Sequence, residues 1–116
     1  MIIKKVSDVA AKPVQMDGAK NVSVRVIFGP NDKAPTFAMR IFELDGGGHT
    51  PFHSHPFEHE VMILSGNVAV ATEKGSQPLA PGDMILVSPN ERHQFKNLSD
   101  TQKASFLCLV PIAYQK

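Results

Sequence analysis

Five histidines are the residues of this chain whose type and spacing could carry out chemistry. Four of them, His49, His53, His55 and His59, fall within eleven consecutive positions, and the fifth is His93. On an extended strand His53 and His55 project from the same face, and His59 opens the next apolar run, from which its ring can turn back toward them. His49 lies in a glycine-rich turn and is expected to be a solvated loop residue. Since imidazole binds Mn, Fe, Co, Ni, Cu and Zn alike, the cluster indicates a transition-metal site without naming the metal.

Two spaced patterns surround these histidines, one at about residues 47–66 and one at about residues 82–97. They resemble the two motifs of the cupin superfamily. The first motif is matched at Gly47, His53, His55 and Gly66, and the second at Gly82, His93 and Asn97. Ser88 and Asn90 stand where the second motif has a proline and a glycine. Because asparagine follows glycine in its tolerance of left-handed backbone, Asn90 preserves the turn that this position requires.

His59 occupies the position where the family usually has a metal-binding glutamate. The chain is therefore similar to small single-domain bacterial cupins in which four histidines bind manganese or a related metal. That resemblance implies one divalent ion held by His53, His55, His59 and His93, with manganese expected first, then iron, and with Zn, Ni, Co or Cu as further candidates. Four neutral imidazoles leave such a site one charge unit more positive than three imidazoles and a carboxylate, which favours anionic ligands.

Short β-branched and aromatic runs, separated by Gly, Pro and Asn, account for most of the remaining chain. The predicted strands are Val22–Phe28, Phe37–Leu44, Glu60–Leu64, Val68–Thr72, Met84–Val87, His93–Lys96 and Ser105–Val110. This spacing is typical of an all-β sandwich or barrel, and the resemblance specifies a double-stranded β-helix, the jelly-roll barrel of cupins, in one domain over residues 1–116. The cluster Asp45–Gly48 is predicted to be a turn that ends the second strand.

The predicted strands are apolar on both faces more often than they alternate. One face is expected to pack inside the barrel, and the other is expected to need cover from a second subunit. We therefore expect a homodimer, with residues 1–20 as an N-terminal arm that packs on the partner.

Five residues outside the histidine cluster are candidates for the substrate pocket. Arg40 shares a strand face with Phe42 and could hold a substrate carboxylate if that face lines the barrel; the alternative is an arginine in solvent or at a subunit interface. Cys108 is either a small core residue or, as the family's last strands imply, a pocket wall near the metal. Phe42, Phe95 and Phe106 are expected in the core and line the pocket if they reach it.

A competing motif overlaps the histidine cluster. The segment His55–His59 satisfies the H-x-x-E-H pattern of inverted zinc proteases, with Glu58 as the base. That chemistry requires a helix, which Pro56 and the following β-like sequence oppose. Glu58 and Glu60 flank His59 with the opposite strand parity, so they are expected to face solvent or to orient the ligands.

The composition of the chain limits the binding partners and the cellular compartment that we expect. The chain has 116 residues, 12 Lys and Arg, and 11 Asp and Glu, so one domain with a net charge of +1 is expected. Such a balance offers no basic field for nucleic acid, and no apolar run approaches the roughly 18 residues of a membrane span. No secretory signal is evident. A single cysteine cannot form an internal disulfide, which fits the reducing cytoplasm.

Three functions are compatible with a metal in a small barrel. Four ligands on an octahedral ion leave two neighbouring positions for a small organic substrate and dioxygen, so a metal-dependent oxygenase of the dioxygenase type is the leading hypothesis. The alternatives are an isomerase, epimerase or lyase on a sugar or keto acid, and a non-catalytic ligand-binding domain. The first alternative needs a general base, for which the candidates are Glu58, Glu60 and a metal-bound hydroxide.

Overall fold

Nine antiparallel strands and three single-turn 3-10 helices make up the computed structural model, which describes residues 1–115. The strands are β1 (Lys12–Pro13), β2 (Lys20–Phe28), β3 (Phe37–His49), β4 (His59–Ser65), β5 (Val68–Thr72), β6 (Gly75–Leu79), β7 (Met84–Val87), β8 (Gln94–Asn97) and β9 (Ala104–Pro111). The 3-10 turns are Val6–Asp8, Pro30–Asp32 and Ile112–Tyr114. Lys116, the last residue of the predicted domain, lies outside the described residues. The predicted all-β class is confirmed.

The strands form one curled sheet in the order β6-β5-β8-β3-β9-β4-β7, with β2 pairing on β3 and β1 on β2. β3 is long and changes partners along its length. One edge pairs with β2 as far as His49, whereas the other edge pairs with β9 over residues 37–44 and with Lys96 of β8 at His49. The two halves of the sheet face each other, so the ring of Phe95 on β8 lies 4.7 Å from that of Phe106 on β9. This is the double-stranded β-helix predicted from the sequence.

The core lies between the two halves and follows the two-residue period of the strands. Along β9 buried and partly exposed residues alternate without exception, and Phe106, Cys108 and Val110 are each 2% exposed. Leu44 of β3 and Ile63 of β4 are fully buried against them. Burial of a large apolar side chain contributes about 1.5–3 kcal/mol, so these inward positions stabilise the barrel that surrounds the histidines.

β3 extends beyond its predicted end, and the prediction of a turn at Asp45–Gly48 was wrong. The chain does not reverse direction at these glycines; their lack of a side chain lets other backbone segments pass close to β3. A Cβ on Gly46 would lie 2.1 Å from the carbonyl oxygen of Asp100, and one on Gly48 would lie 2.6 Å from that of Asn21. The strand therefore continues as far as His49, which brings the chain to the histidine cluster.

β6 was not predicted. Its sequence, Gly75–Leu79, has no β-branched or aromatic residue and contains Pro78. It lies at one end of the strand order and is mostly exposed, which is where a sheet accepts proline. The segment is a strand because it pairs with β5 along its whole length, although its own sequence has no strand pattern.

The N-terminal segment pairs with its own chain. Lys12 and Pro13 lie opposite Val24 and Ser23 of β2, and the amide of Val14 donates to the carbonyl of Val22. Packing of residues 1–20 on a partner subunit stays a prediction, as does the cytoplasmic location. Within residues 1–115, no helix has both the length and the apolar character needed to cross a bilayer.

Candidate metal centre

Two of the histidines are fixed by their own backbones. His53, in the connection between β3 and β4, donates its amide to the carbonyl of His93 at 3.1 Å, and His93 donates back to His53 at 2.9 Å. This isolated bridge joins two residues that are 40 positions apart in the sequence. Their ring centroids lie 5.2 Å apart, and His93 is only 3% exposed.

His55 is held by the turn that precedes β8. The amide of Asn90 donates to the carbonyl of His55 at 2.7 Å, and Asn90 has a φ of 68°, the left-handed conformation that its place in the second motif requires. The ring of His55 lies 5.2 Å from that of His53 and 5.0 Å from that of His93. The two motifs therefore meet at one point although they are far apart in sequence.

Backbone carbonyls determine which ring nitrogens can bind a metal. The Nδ1 atoms of His55 and His93 each lie 2.8 Å from a carbonyl oxygen, that of Phe57 and that of Glu91 respectively. Because a carbonyl only accepts, each Nδ1 carries the hydrogen and each Nε2 carries the lone pair. The Nε2 of His55 is buried and has no hydrogen-bond partner. A buried acceptor that is oriented in this way and left unpaired is what a metal-ligating histidine offers, so these residues fit a bound ion.

The structure brings three of the four predicted ligands into one group and places the fourth beside it. Ring nitrogens of His53, His55 and His93 all lie within 4.8 Å of one another, so this triad could hold a metal ion. The ring of His59, on β4, lies 4.3 Å from that of His55 and 5.5 Å from that of His93. Its Nδ1 lies 3.2 Å from Sγ of Cys108.

Burial keeps these imidazoles neutral. Burial first, and then the charges of neighbouring histidines, lower the pKa of His53 to about 4; burial, the neighbouring histidines and Arg40 together lower that of His59 to about 2. Burial likewise lowers the pKa of His55, against an opposing contribution from its hydrogen bond to Phe57. At neutral pH the rings of His53, His55 and His59 are therefore uncharged, and the uncharged ring is the form that binds metals. Burial raises the pKa of the Cys108 thiol, so the sulfur stays protonated.

A cavity of about 240 Å³ opens beside the rings and is mostly apolar. The five predicted pocket residues all lie on its walls: Arg40, Phe42, Phe95, Phe106 and Cys108. Sequence reasoning missed two aromatic walls, Phe57 and Tyr114. The ring of Phe57 stacks on His55 at 3.9 Å and on Tyr114 at 4.1 Å. The position of Phe57 between His55 and His59 is a signal that could have identified it, whereas Tyr114 follows the last predicted strand and carries no such signal.

No acidic residue lines this cavity in the part of the chain that the structure describes. Glu58 and Glu60 are exposed and face a separate surface pocket beside Phe37 and Leu109, so neither can act as a base at the metal site. His49 is not a wall of the cavity either; its ring lies against Gln94.

The protease alternative is wrong. The H-x-x-E-H arrangement requires one turn of helix over residues 55–59, and the structure has no helix there. Instead the chain is irregular until His59 opens β4.

Known proteins resemble this chain in sequence and in fold. The chain is 32% identical over 91 residues to the 1-methylthio-D-xylulose 5-phosphate methylsulfurylase of Rhodospirillum rubrum, a match that covers 78% of this chain and 56% of that protein. The chain thus spans little more than half the length of this relative. The polyketide cyclase RemF of Streptomyces resistomycificus is 31% identical, with a TM-score of 0.91 over 97% of this chain and 80% of RemF.

A predicted oxalate decarboxylase of Thermotoga maritima has a TM-score of 0.83 over 96% of this chain and 99% of its own, but at 20% identity it shows the fold alone. The family model described as "Cupin domain" matches residues 40–110, which include the four histidines and the five predicted pocket residues. The chain belongs to the cupin family.

Proposed function

We propose that this cupin binds one divalent transition metal through His53, His55, His59 and His93 and uses it on a small organic molecule in the adjoining cavity. The convergence of three ring nitrogens within 4.8 Å supports the metal, and the ring of His59 is close enough to complete the set. Imidazole donors suit several metals. The four-histidine pattern makes manganese the first expectation and iron the second.

The reaction that we favour is redox-neutral ring closure in a chain of enolisable carbonyl groups. The likeness to the polyketide cyclase RemF carries this proposal, because it combines 31% identity with a TM-score of 0.91 over 97% of the chain. The likeness to the methylsulfurylase covers only 56% of that protein, so it carries less weight for the activity of the whole molecule.

The cavity suits such a substrate. A metal held by His53, His55, His59 and His93 would supply Lewis acidity to a 1,3-dicarbonyl group in the cavity. The aromatic walls Phe42, Phe57, Phe95 and Phe106 pack on the carbon chain, hold it folded and exclude water from the reacting carbons. Because the described walls include no carboxylate base, the substrate must bring acidic protons of its own, as a 1,3-dicarbonyl compound does. The isomerase, epimerase or lyase alternative is left with a metal-bound hydroxide as its base, since Glu58 and Glu60 lie outside the cavity.

A dioxygenase is the second candidate. The apolar lining favours it, because dioxygen partitions into apolar space and because water would compete for the open metal positions. Non-catalytic binding of a small ligand is the third possibility, and fold alone does not separate the three.

A triketone separates them by experiment. We would incubate manganese-loaded protein with nonane-2,4,8-trione and identify the products by mass spectrometry and NMR with and without dioxygen. Ring closure joins C3, the carbon between two carbonyl groups, to the carbonyl carbon C8 and releases one water, which gives 2-acetyl-3-methylcyclohex-2-en-1-one. We expect this product without dioxygen, and we expect metal-free protein and His53→Ala to form it only at the spontaneous rate.

The other outcomes argue against the cyclase. A product that forms only with dioxygen and contains its atoms would establish the oxygenase instead. Saturable binding of the triketone without any turnover would favour the ligand-binding function.

A further inference from the structure

Arg40 is a positive charge on the wall of the metal cavity. It lies on β3 opposite Cys108 of β9, and its Nη2 donates to the sulfur of Cys108 at 3.2 Å. The guanidinium carbon lies 4.8 Å from the ring centroid of Phe42. The Nε–H group of Arg40 is buried and has no hydrogen-bond partner. A thiol and an aromatic face therefore hold the side chain in place, while one of its donors remains unused.

Arg40 lacks the acidic partner that Lys4 and Arg25, two other partly buried cations, each have. Lys4 pairs with Asp32 at 2.7 Å and Arg25 pairs with Glu43 at 2.5 Å. None of the ion pairs within residues 1–115 includes Arg40, and no acidic residue is among the described walls of its cavity. A charge removed from water without a partner is costly, and a divalent ion beside it would add further positive charge.

From this arrangement we infer that Arg40 is a subsite for a singly charged, planar oxygen anion of the substrate, a carboxylate or an enolate, next to the metal position. A guanidinium group presents parallel N–H donors whose spacing matches two oxygens of such an anion. The unused Nε–H is one of these donors. The anion would supply the negative charge that the cavity walls do not provide.

One arginine suits a monoanion better than a phosphate. Sites for phosphate dianions combine several cations or a row of backbone amides at a helix N-terminus. The described walls of this cavity include neither a lysine nor a second arginine. The inference deepens the proposed function by naming the charge of the substrate, and it depends on that function only in assuming that the cavity binds the substrate.

Matched aromatic ligands test the subsite without turnover. We would measure dissociation constants for benzoate and for benzamide, its neutral isostere, by calorimetry at pH about 7.5, where His53, His55 and His59 are neutral because burial lowers the pKa of each. Benzoate should bind about tenfold or more tightly than benzamide, as expected for charge-assisted hydrogen bonds. Dimedone, a 1,3-diketone that is an enolate at this pH, and phenyl phosphate complete the series.

Two arginine variants test whether Arg40 causes the preference for benzoate over benzamide. Arg40→Gln should reduce the affinity for benzoate about tenfold or more and leave benzamide within about twofold. Arg92→Gln removes the same charge from a side chain that is 51% exposed and is not a wall of the cavity, so both affinities should stay within about twofold of the wild type. Near-UV circular dichroism checks that each variant is folded, and the benzoate–benzamide comparison in the wild type requires no variant.

The outcomes separate this inference from the proposed function. Equal binding of benzoate and benzamide, or a preference for benzoate that survives in Arg40→Gln, would overturn the subsite. So would tighter binding of phenyl phosphate than of both monoanions. Repeating the titrations with metal-free and zinc-loaded protein tests the metal independently, because an Arg40-dependent preference without bound zinc supports the subsite even if the metal assignment fails.

Discussion

At the scale of single residues, three of the predicted ligands differ in what holds their Nδ1 atoms. His55 and His93 donate to backbone carbonyls, which fixes their tautomer, whereas His59 contacts the sulfur of Cys108 at 3.2 Å. That sulfur also accepts a hydrogen bond from Arg40. Cys108 therefore links the predicted fourth ligand to the anion subsite and is more than a small core residue.

Removal of His59 tests its place in the metal site. His59→Ala should weaken the binding of Mn²⁺ or Zn²⁺ about tenfold or more, because it removes a neutral donor beside the triad. His49→Ala, whose ring is outside the cavity, should leave the affinity unchanged. Competition with a chromophoric chelator measures both constants. Equal effects of the two substitutions would contradict the ligand assignment, and failure of the wild type to bind any added divalent metal would remove the site.

The lowered pKa values of His53 and His59 also predict how the stability of the metal-free protein changes with pH. The pKa of His53 falls from 6.5 in the unfolded chain to about 4 in the folded one, and that of His59 falls to about 2. Above the pKa of the unfolded chain, these histidines are neutral in both the folded and the unfolded protein, so their titration does not change the free energy of unfolding. As the pH falls below this pKa, the unfolded chain takes up protons that the folded chain does not, so stability decreases.

Urea unfolding of the metal-free protein between pH about 7 and 5, a range in which most carboxylates stay ionised, measures this decrease. His59→Gln should show a shallower dependence of stability on pH than the wild type. A wild-type stability that is constant over this range would contradict the prediction.

At the scale of strands, the site is a product of sheet register. The β3–β9 register sets Arg40 opposite Cys108 and Phe42 opposite Phe106, and the β4–β9 register sets Val61 opposite Cys108. These pairings join residues 47 to 68 positions apart. A shift by one residue in either pair would turn the cavity walls outward.

The strands and the histidine cluster could be predicted from the sequence because both have recognisable local patterns. Two-residue spacing identified His53 and His55, and β-branched runs between turn residues identified seven strands. The contact between Cys108 and His59, the unpaired Nε–H of Arg40 and the wall formed by Tyr114 depend on register between distant strands, which no local pattern encodes. The extension of β3 past Asp45–Gly48 depends in the same way on contacts with segments distant in sequence.

The turn that joins β4 to β5 supplies a test at this scale. Gly66 has a φ of 84°, and a Cβ there would lie 2.6 Å from Cβ of Ala104 and 2.7 Å from its Cα. Gly82 has a similar φ of 94° but has no atom within 4 Å of such a Cβ. Gly82→Ala should therefore lose only the left-handed conformational preference, about 1–2 kcal/mol.

Gly66→Ala should lose roughly 1–3 kcal/mol more than Gly82→Ala, because backbone atoms at the start of β9 must move. Urea denaturation of the two variants gives the difference directly. Equal losses would show that the turn relaxes without disturbing β9.

At the scale of the whole molecule, part of the outer face of the sheet is apolar. Two rows of side chains cross β7, β4, β9 and β3, each strand contributing a residue opposite its neighbour. One row is Met84, Met62, Leu107 and Ile41, and the other is Leu86, Glu60, Leu109 and Met39. Met84 is 78% exposed and Leu86 is 60% exposed. Four strands at about 4.8 Å spacing make this face about 19 Å wide.

We expect a second copy of the chain to cover this face. Monomers rarely expose continuous apolar patches larger than a few hundred Å². Met62, Met84 and Leu86 are exposed and adjoin the partly exposed Met39, Leu107 and Leu109, whereas Ile41 is already buried within the chain. A patch of this kind is complementary to itself, so a two-fold axis through it buries the same rows from both subunits. Wild-type protein should therefore sediment as a dimer at micromolar concentration.

Charge placed on the rows should separate the subunits. The double variant Met84→Lys with Leu86→Lys puts two cations on an exposed strand that ends the sheet, where the fold itself tolerates them, and it should sediment as a monomer. Leu98→Lys alters a side chain that is 57% exposed in the turn after β8, outside both rows, and should leave the dimer intact. A monomeric wild type would show that the apolar face needs no partner, and a double variant that remains dimeric would move the interface elsewhere on the molecule. Because the inward residues of the same strands line the cavity, a monomeric variant that still binds metal with wild-type affinity would show that each barrel holds its site independently.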